Sequence, residues 1–247
     1  MCCFSRNVES VSDTHIFARA AAGNRQYLVY QMKLHAKDHL AMILPIPVAA
    51  GAKEDALRFI NLKEYPRFFA DLRSGFPIMR AAVGSQSKAD APAEKTLAVV
   101  EVGDFEASFV PTVADFSRLD ERFRLPPGTW DELPAYKNFG FAVFKLKPGG
   151  ADHPMAFEFP RARPDTLFFP TVHIHDGKVH PMAHFDHRLY CQSGDNDFRH
   201  LIHWQESQKP ASSFMDLKKC AGILDGDAHC YLKEIHGRQK NTDVVLV

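Results

Sequence analysis

Eight of the thirteen histidines in this 247-residue chain fall between His153 and His203. Imidazole at that density is the side chain best suited to hold a transition metal or to move protons near neutral pH. The sharpest pattern is Thr171-Val172-His173-Ile174-His175-Asp176-Gly177-Lys178-Val179-His180, two β-friendly arms around Asp-Gly. That dipeptide favours a two-residue type I′ hairpin turn. The turn sets His175 opposite Lys178, Ile174 opposite Val179, and His173 opposite His180. Because side chains alternate along a strand, His173, His175 and His180 then share one face and Ile174 and Val179 the other. Opposed residues place their Cβ atoms about 4.5 to 5.5 Å apart and residues two along a strand lie about 6.6 Å apart, so three imidazoles can converge on one ion. The spacing predicts a three-histidine metal site.

His184, Asp186, His187 and Cys191 follow within a few residues, as further ligands or as hydrogen-bonding supports for the imidazoles. Two local structures compete. If 182–192 is a strand, His187 and Cys191 point one way and His184 the other. If Pro181 opens a helix, His180, His184, His187 and Cys191 form one stripe. The bland alternative for all of these histidines is a solvated sheet face with ordinary hydrogen bonds. Imidazole suits zinc, copper, iron and nickel alike. Zinc and copper lead, copper because Cys191, Met155 and Met182 are near in sequence, and iron is a third option.

A different chemistry sits at the start, Met1-Cys2-Cys3. Removal of Met1 would give Cys2 a free α-amine with a reference pKa of about 7.7 to 8.0, able to accept the thiol proton as in N-terminal nucleophile hydrolases. Alternatively Cys2 or Cys3 supplies a thiolate to the histidine site, or both are small apolar side chains in a buried N-terminus. Met32, His35 and His39 read as loop-flanking residues. Cys220 with His229 and Cys230 lacks the Cys-x-x-Cys spacing of a structural zinc site. Glu101, Glu106 and Glu158 lie on β-like segments with nothing to single them out as bases. No phosphate-binding glycine loop and no Ser-His-Asp signature is present.

The elements that would position these groups are short and mostly β. Hydrophobic residues make up 45% of the chain, enough for a full core. Lys plus Arg equals Asp plus Glu at 30 each, so no global field would hold nucleic acid or an anionic membrane. The partners expected are a metal ion and, if the site is catalytic, a small-molecule substrate. No apolar run reaches the roughly 20 residues that span a bilayer. The N-terminus lacks the charged and apolar regions of a secretory signal. Five cysteines, an odd number on a long chain, read as reduced thiols, so a cytoplasmic protein is expected.

Alternating apolar patterns predict strands at 15–20, 26–32 and 40–47, read as a three-stranded meander, and short helices at 54–60 and 64–72. The polar stretch 85–95 reads as a linker. Gly103-Asp104 predicts a hairpin between 96–102 and 105–111. Helical segments are expected at 112–124, 131–136 and 212–222, with strands at 139–147, 155–159 and 167–175. The fold class is α+β, mostly β, with antiparallel sheets and a few short helices. Its expected parts are residues 1–84, 96–203 carrying the histidines, and a tail 204–247, or all of these as one domain.

Three segments, Leu40-Ala41-Met42-Ile43-Leu44-Pro45-Ile46-Pro47, Val100-Glu101-Val102-Gly103-Asp104-Phe105-Glu106-Ala107, and Tyr136 followed by Gly140-Phe141-Ala142-Val143-Phe144-Lys145-Leu146, resemble a bacterial family. It is the uncharacterised group known as the domain of unknown function numbered twenty-three thirty. The resemblance runs over roughly residues 2–172 and implies a β-rich fold without an established activity. Members of that family tend to begin with a secretory signal and to end in a membrane anchor, whereas this chain opens directly on Met1-Cys2-Cys3. The histidine block lies beyond the resemblance. Three readings remain: a metalloprotein on His173, His175 and His180, with His184, His187 and Cys191 as additional ligands or supports, acting as a hydrolase or oxidoreductase; a metal-storing or sensing protein; and a Cys2-nucleophile hydrolase.

Overall fold

The computed structural model describes residues 3–49, 51–76, 100–147, 153–192 and 199–247. Cys2, the linker at 85–95 and residues 96–99 lie outside them. In chain order the elements are β1 (Cys3–Phe4), β2 (Ser10–Ala21), β3 (Arg25–His35), β4 (Leu40–Ile46), β5 (Arg58–Asn61), α1 (Phe68–Ser74), β6 (Val100–Val102) and β7 (Phe105–Val110). They continue with β8 (Gly140–Leu146), β9 (Met155–Pro160), β10 (Leu167–Phe169), β11 (Met182–Gln192), β12 (Gln205–Glu206), β13 (Tyr231–Lys240) and β14 (Val244–Leu246). The protein is mostly β, as its apolar periodicity predicts.

A five-stranded sheet in the order β1-β4-β8-β7-β6 faces a seven-stranded sheet in the order β12-β13-β11-β2-β3-β9-β5, and β10 pairs with β14 apart from both. Neighbours are antiparallel except β11 on β2, which run parallel. Strands from either side of residues 85–95 share both sheets, and β13 brings the tail into the larger one.

The meander expected from 15–47 is broken at its third strand. β2 and β3 pair antiparallel, but β4 crosses to the other sheet, between β1 and β8. Composition explains the crossing. Every β4 residue from Leu40 to Ile46 is buried, and a strand apolar on both faces needs cover on both. Leu40, Met42, Leu44 and Ile46 enter the core between the sheets, which also holds Ile16, Leu28, Phe157 and Leu189. Ala41 and Ile43 face a second cluster roofed by Phe116, Leu119, Phe123 and Tyr136. A third cluster packs Phe68, Phe69 and Leu72 of α1 over Phe17, Val29 and Tyr190 on the outer face of the larger sheet.

Other expectations change for related reasons. Of the segment 54–60 expected to be helical, residues 58–60 belong to β5 instead, because the adjacent Phe59 and Ile60 pack into different clusters on opposite faces of the sheet. The region 112–124 resolves into two 3-10 turns, Val113–Arg118 and Glu121–Phe123. The helix expected at 212–222 is also absent. Two of its backbone donors find acceptors outside a helical ladder, Ser212 N–H on Gly226 O at 2.9 Å and Asp216 N–H on the Tyr65 hydroxyl at 2.8 Å, and others close short turns. The Gly103-Asp104 hairpin forms, with Val102 opposite Phe105. Gly103 is needed twice, for its φ of +67° and because a Cβ there would strike the His153 ring.

Candidate functional site

The hairpin proposed around Asp176-Gly177 does not form. The only bridge within 171–180 is a parallel one from Ile174 to Cys3. The segment's backbone groups are taken by other parts of the chain. Phe4 N–H donates to Ile174 O at 3.0 Å and Val8 N–H to His175 O at 3.3 Å, so 174–175 extends the edge of the five-stranded sheet beyond β1. Asn241 closes the loop that cross-strand pairing was expected to close. Its Oδ1 accepts from His173 N–H at 2.7 Å, and its Nδ2 donates to His173 O at 3.0 Å and His180 O at 2.8 Å. The half-buried Asp243 carboxyl accepts from Thr171 N–H at 2.7 Å, Val172 N–H at 3.0 Å and the Tyr136 hydroxyl at 2.6 Å. Burial raises its pKa. These polar anchors outcompete a two-residue turn whose arms would otherwise pair only with each other. Neither Asn241 nor Asp243 carries a motif, and nothing in the sequence signals their part.

The alternation of His173 and His175 about Ile174 survives the loss of the hairpin. Ile174 enters the roofed cluster with Cys3, and the two histidines face the other way, their rings stacked with centroids 4.9 Å apart. They meet a third imidazole from the opposite sheet. Residues 182–192 are strand β11, so His187 shares the parity of Leu189 and Cys191, which line the inter-sheet core. His173 Nε2 lies 3.3 Å from His187 Nε2, and their centroids are 4.9 Å apart. Phe185 stands 4.5 Å from the His173 ring and 5.1 Å from that of His187, and Phe4 lies 5.5 Å from His175. The three imidazoles occupy the seam where β1 and its extension meet β11.

This setting disfavours the charged form of each ring. Burial lowers the pKa of His173 to about 2 and of His175 to about 4, and pushes His187 further down. Neighbouring imidazoles add to the shift at His173 and His187. Neutral rings carry the lone pair that a metal or a donor proton requires. The buried Nε2 of His175 has no hydrogen-bond partner among the described residues.

The other expected ligands are placed elsewhere. His180 is exposed, its Nε2 2.9 Å from Asp176 Oδ2. His184 is exposed on the opposite face of β11, paired across the strands with Arg238. Cys191 lies four residues beyond His187 on the same face, about 13 Å along a strand, in the apolar core, where burial holds its thiol well above the ordinary value. Cys3 is buried with its side chain in the roofed cluster. Among the described residues, no group of three His, Cys, Asp or Glu side chains already stands in ligating geometry. Two imidazoles meet, and His175 is stacked beside them, not aimed with them.

A second polar assembly lies on the outer face of β11. Asp13, at φ +51° where the β2–β3 register shifts, takes His15 Nε2 at 3.1 Å, Lys33 Nζ at 2.9 Å and the Arg188 guanidinium on its carboxylate. Its N–H donates to Asp186 Oδ2 at 2.8 Å. Arg188 and Arg73 reach Glu234 at 3.2 and 3.3 Å, and His236 Nδ1 lies 3.3 Å from Asp186.

No family model and no curated protein matches the chain. Solved structures of baculovirus P35 are similar to it. A mutated P35 after caspase cleavage is 14% identical over 96% of this chain and 97% of that chain, with a TM-score of 0.49. Uncleaved P35 is 12% identical over 96% of each, with a TM-score of 0.45. P35 in a complex with caspase-8 is 10% identical over 95% of each, with a TM-score of 0.46. Among the described residues no helix is long and apolar enough to cross a membrane.

Proposed function

We propose that the protein binds a transition metal ion, zinc or copper, through His173, His175 and His187 at the seam between its two sheets. One observation carries the reading: the 3.3 Å separation of His173 Nε2 and His187 Nε2. Two nitrogens bound to one zinc at about 2.0 to 2.1 Å in a tetrahedral arrangement lie about 3.3 to 3.4 Å apart, so this pair spans one edge of such a site. Without an ion the same contact is an N–H···N bond, one ring donating and the other accepting. The partnerless Nε2 of His175 supplies a third nitrogen once its ring turns out of the stack, at a rotamer cost of order 1 kcal/mol. Neutral imidazoles in an apolar setting need no proton displaced before they ligate.

Three protein ligands leave a fourth position for water or another small ligand. With zinc that favours hydrolytic chemistry, and with copper or iron, redox chemistry. A closed site used for storage or sensing is the second reading of the same cluster. Cobalt substitution separates them: a visible spectrum that shifts on adding azide marks an open position, and an unchanged one marks a closed site. The metal itself is tested by elemental analysis after gentle purification. The reading expects about one ion per chain, lost in His173→Ala and His187→Ala with the fold retained. Less than about 0.2 ion per chain after incubation with zinc or copper would overturn it.

A further inference from the structure

The long strand β13 is covered along one side only. Toward β11 it pairs without interruption from Tyr231 to Lys240, but on its other side β12 covers only Tyr231 and Leu232. From Lys233 onward no strand among the described residues pairs with the outer side, which leaves it as an edge of the seven-stranded sheet. Its backbone parity is fixed by Cys230 O, which accepts from Ser207 N–H at 2.8 Å, and by His236 O, which accepts from the Gln239 side chain at 3.2 Å. Outward-facing backbone therefore belongs to Glu234, His236 and Arg238. Apart from His236 O, which the Gln239 side chain already occupies, this row of backbone groups has no strand partner among the described residues and is a template for strand addition.

The side chains select what can add there. Arg238 and Lys240 are exposed, point to the same face two residues apart, and enter no ion pair among the described residues. The acids nearby are already engaged, Glu234 by Arg188 and Arg73, and Asp186 by His236. A second copy of the strand is a poor fit. An antiparallel register centred on Arg238 sets Arg238 against itself, and like charges directly opposite destabilise a sheet. A register centred on His236 would lay Lys240 over Leu232, where β12 already sits.

We propose that this edge binds an extended acidic peptide segment by strand addition, with carboxylates at alternate positions opposite Arg238 and Lys240. The added strand continues the sheet beyond β13 and stops at β12. Gly237, with φ +77°, divides the edge into two short runs. The backbone bonds give affinity and the alternate carboxylates give selectivity.

The probe is a fluorescent, end-blocked peptide of about seven residues alternating valine and glutamate, followed by anisotropy with the full chain. Binding is expected, weakened at least about tenfold when Arg238→Glu and Lys240→Glu are combined, and weakened similarly when alternate peptide nitrogens are methylated. Both substituted residues are exposed, and an unchanged Tm shows that the variant folds. In the complex, amide exchange slows at Glu234 and Arg238. Equal binding of the methylated peptide would overturn the proposal in favour of nonspecific attraction of polyanions. Absence of binding, or a dimer in sedimentation that the double variant abolishes, would overturn it as well.

Discussion

β11 carries histidine chemistry on two faces, and the faces differ in what meets the rings. On the inner face His187, 2% exposed, lies against His173 and Phe185. On the outer face the imidazoles of His15 and His236 lie against the carboxylates of Asp13 and Asp186. A carboxylate partner engages a ring nitrogen directly. An aromatic, desolvated setting keeps the ring neutral and leaves its nitrogen for a metal. Both faces carry imidazoles, and it is the inner pair, His173 and His187 in an apolar setting, on which the proposed metal site rests.

The comparison can be broken most severely at the metal. His187→Ala should lower zinc or copper affinity by about a hundredfold or more, while His236→Ala leaves it unchanged; isothermal titration of the two variants checks this. Loss in both would erase the distinction between the faces.

Asp243→Ala comes next. It strands the Tyr136 hydroxyl and two backbone N–H groups at the root of the 171–175 segment. A cost of about 2 to 5 kcal/mol is expected in urea unfolding. Metal affinity should fall with it, although Asp243 is no ligand.

Acid sharpens the contrast. Rings held neutral in the folded protein are protonated in the unfolded chain below a pH of about 6.5. Unfolding then takes up protons, and stability falls as pH drops. For His175 the loss continues to about pH 4 and for His173 to about pH 2. Each ring contributes up to about 1.4 kcal/mol per pH unit in that window. Asp13 shifts in the same direction but in a lower window: hydrogen bonding by His15 lowers its pKa, so its contribution is intact above about pH 3.9 and is lost only below it. Metal-free protein should therefore begin to lose stability well above the pH at which the outer network gives way. His187→Phe should flatten the upper limb of the curve and Asp13→Asn the lower limb. The smallest effect is expected at His180, whose exposed pair with Asp176 should contribute no more than about 0.5 kcal/mol and nothing to metal binding. His180→Ala, measured by thermal unfolding and metal content, checks that end of the scale.

Much of this arrangement could be read from residue types. Period-two alternation reads β2, β3, β8 and β9, the segment 182–192 is left open between strand and helix, and the opposed neighbours of Ile174 put His173 and His175 on one face. The strand reading of 182–192 set His187 with Cys191 and turned His184 away. What could not be read was partnership at long range. The Asp176-Gly177 turn is locally favourable, yet Asn241 and Asp243, some 70 residues away, supply better partners for the same backbone groups. That exchange replaces His180 with His187 in the cluster. The crossing of β4 between sheets was implicit in its unbroken apolar run, a sign of two buried faces and not of a meander edge. The failed helix at 212–222 was hidden in part for the same reason as the failed hairpin: the Ser212 and Asp216 donors go to Gly226 and Tyr65, and others in the segment close short local turns.

The most direct test of the account is a zinc titration of the protein followed through the imidazole nitrogens by long-range proton–nitrogen correlation NMR. The account predicts that the Nε2 resonances of His173, His175 and His187 move together to a metal-bound position at one equivalent, while those of His15, His180 and His236 hold still. Movement confined to the carboxylate-paired histidines, or none at His187, would contradict it.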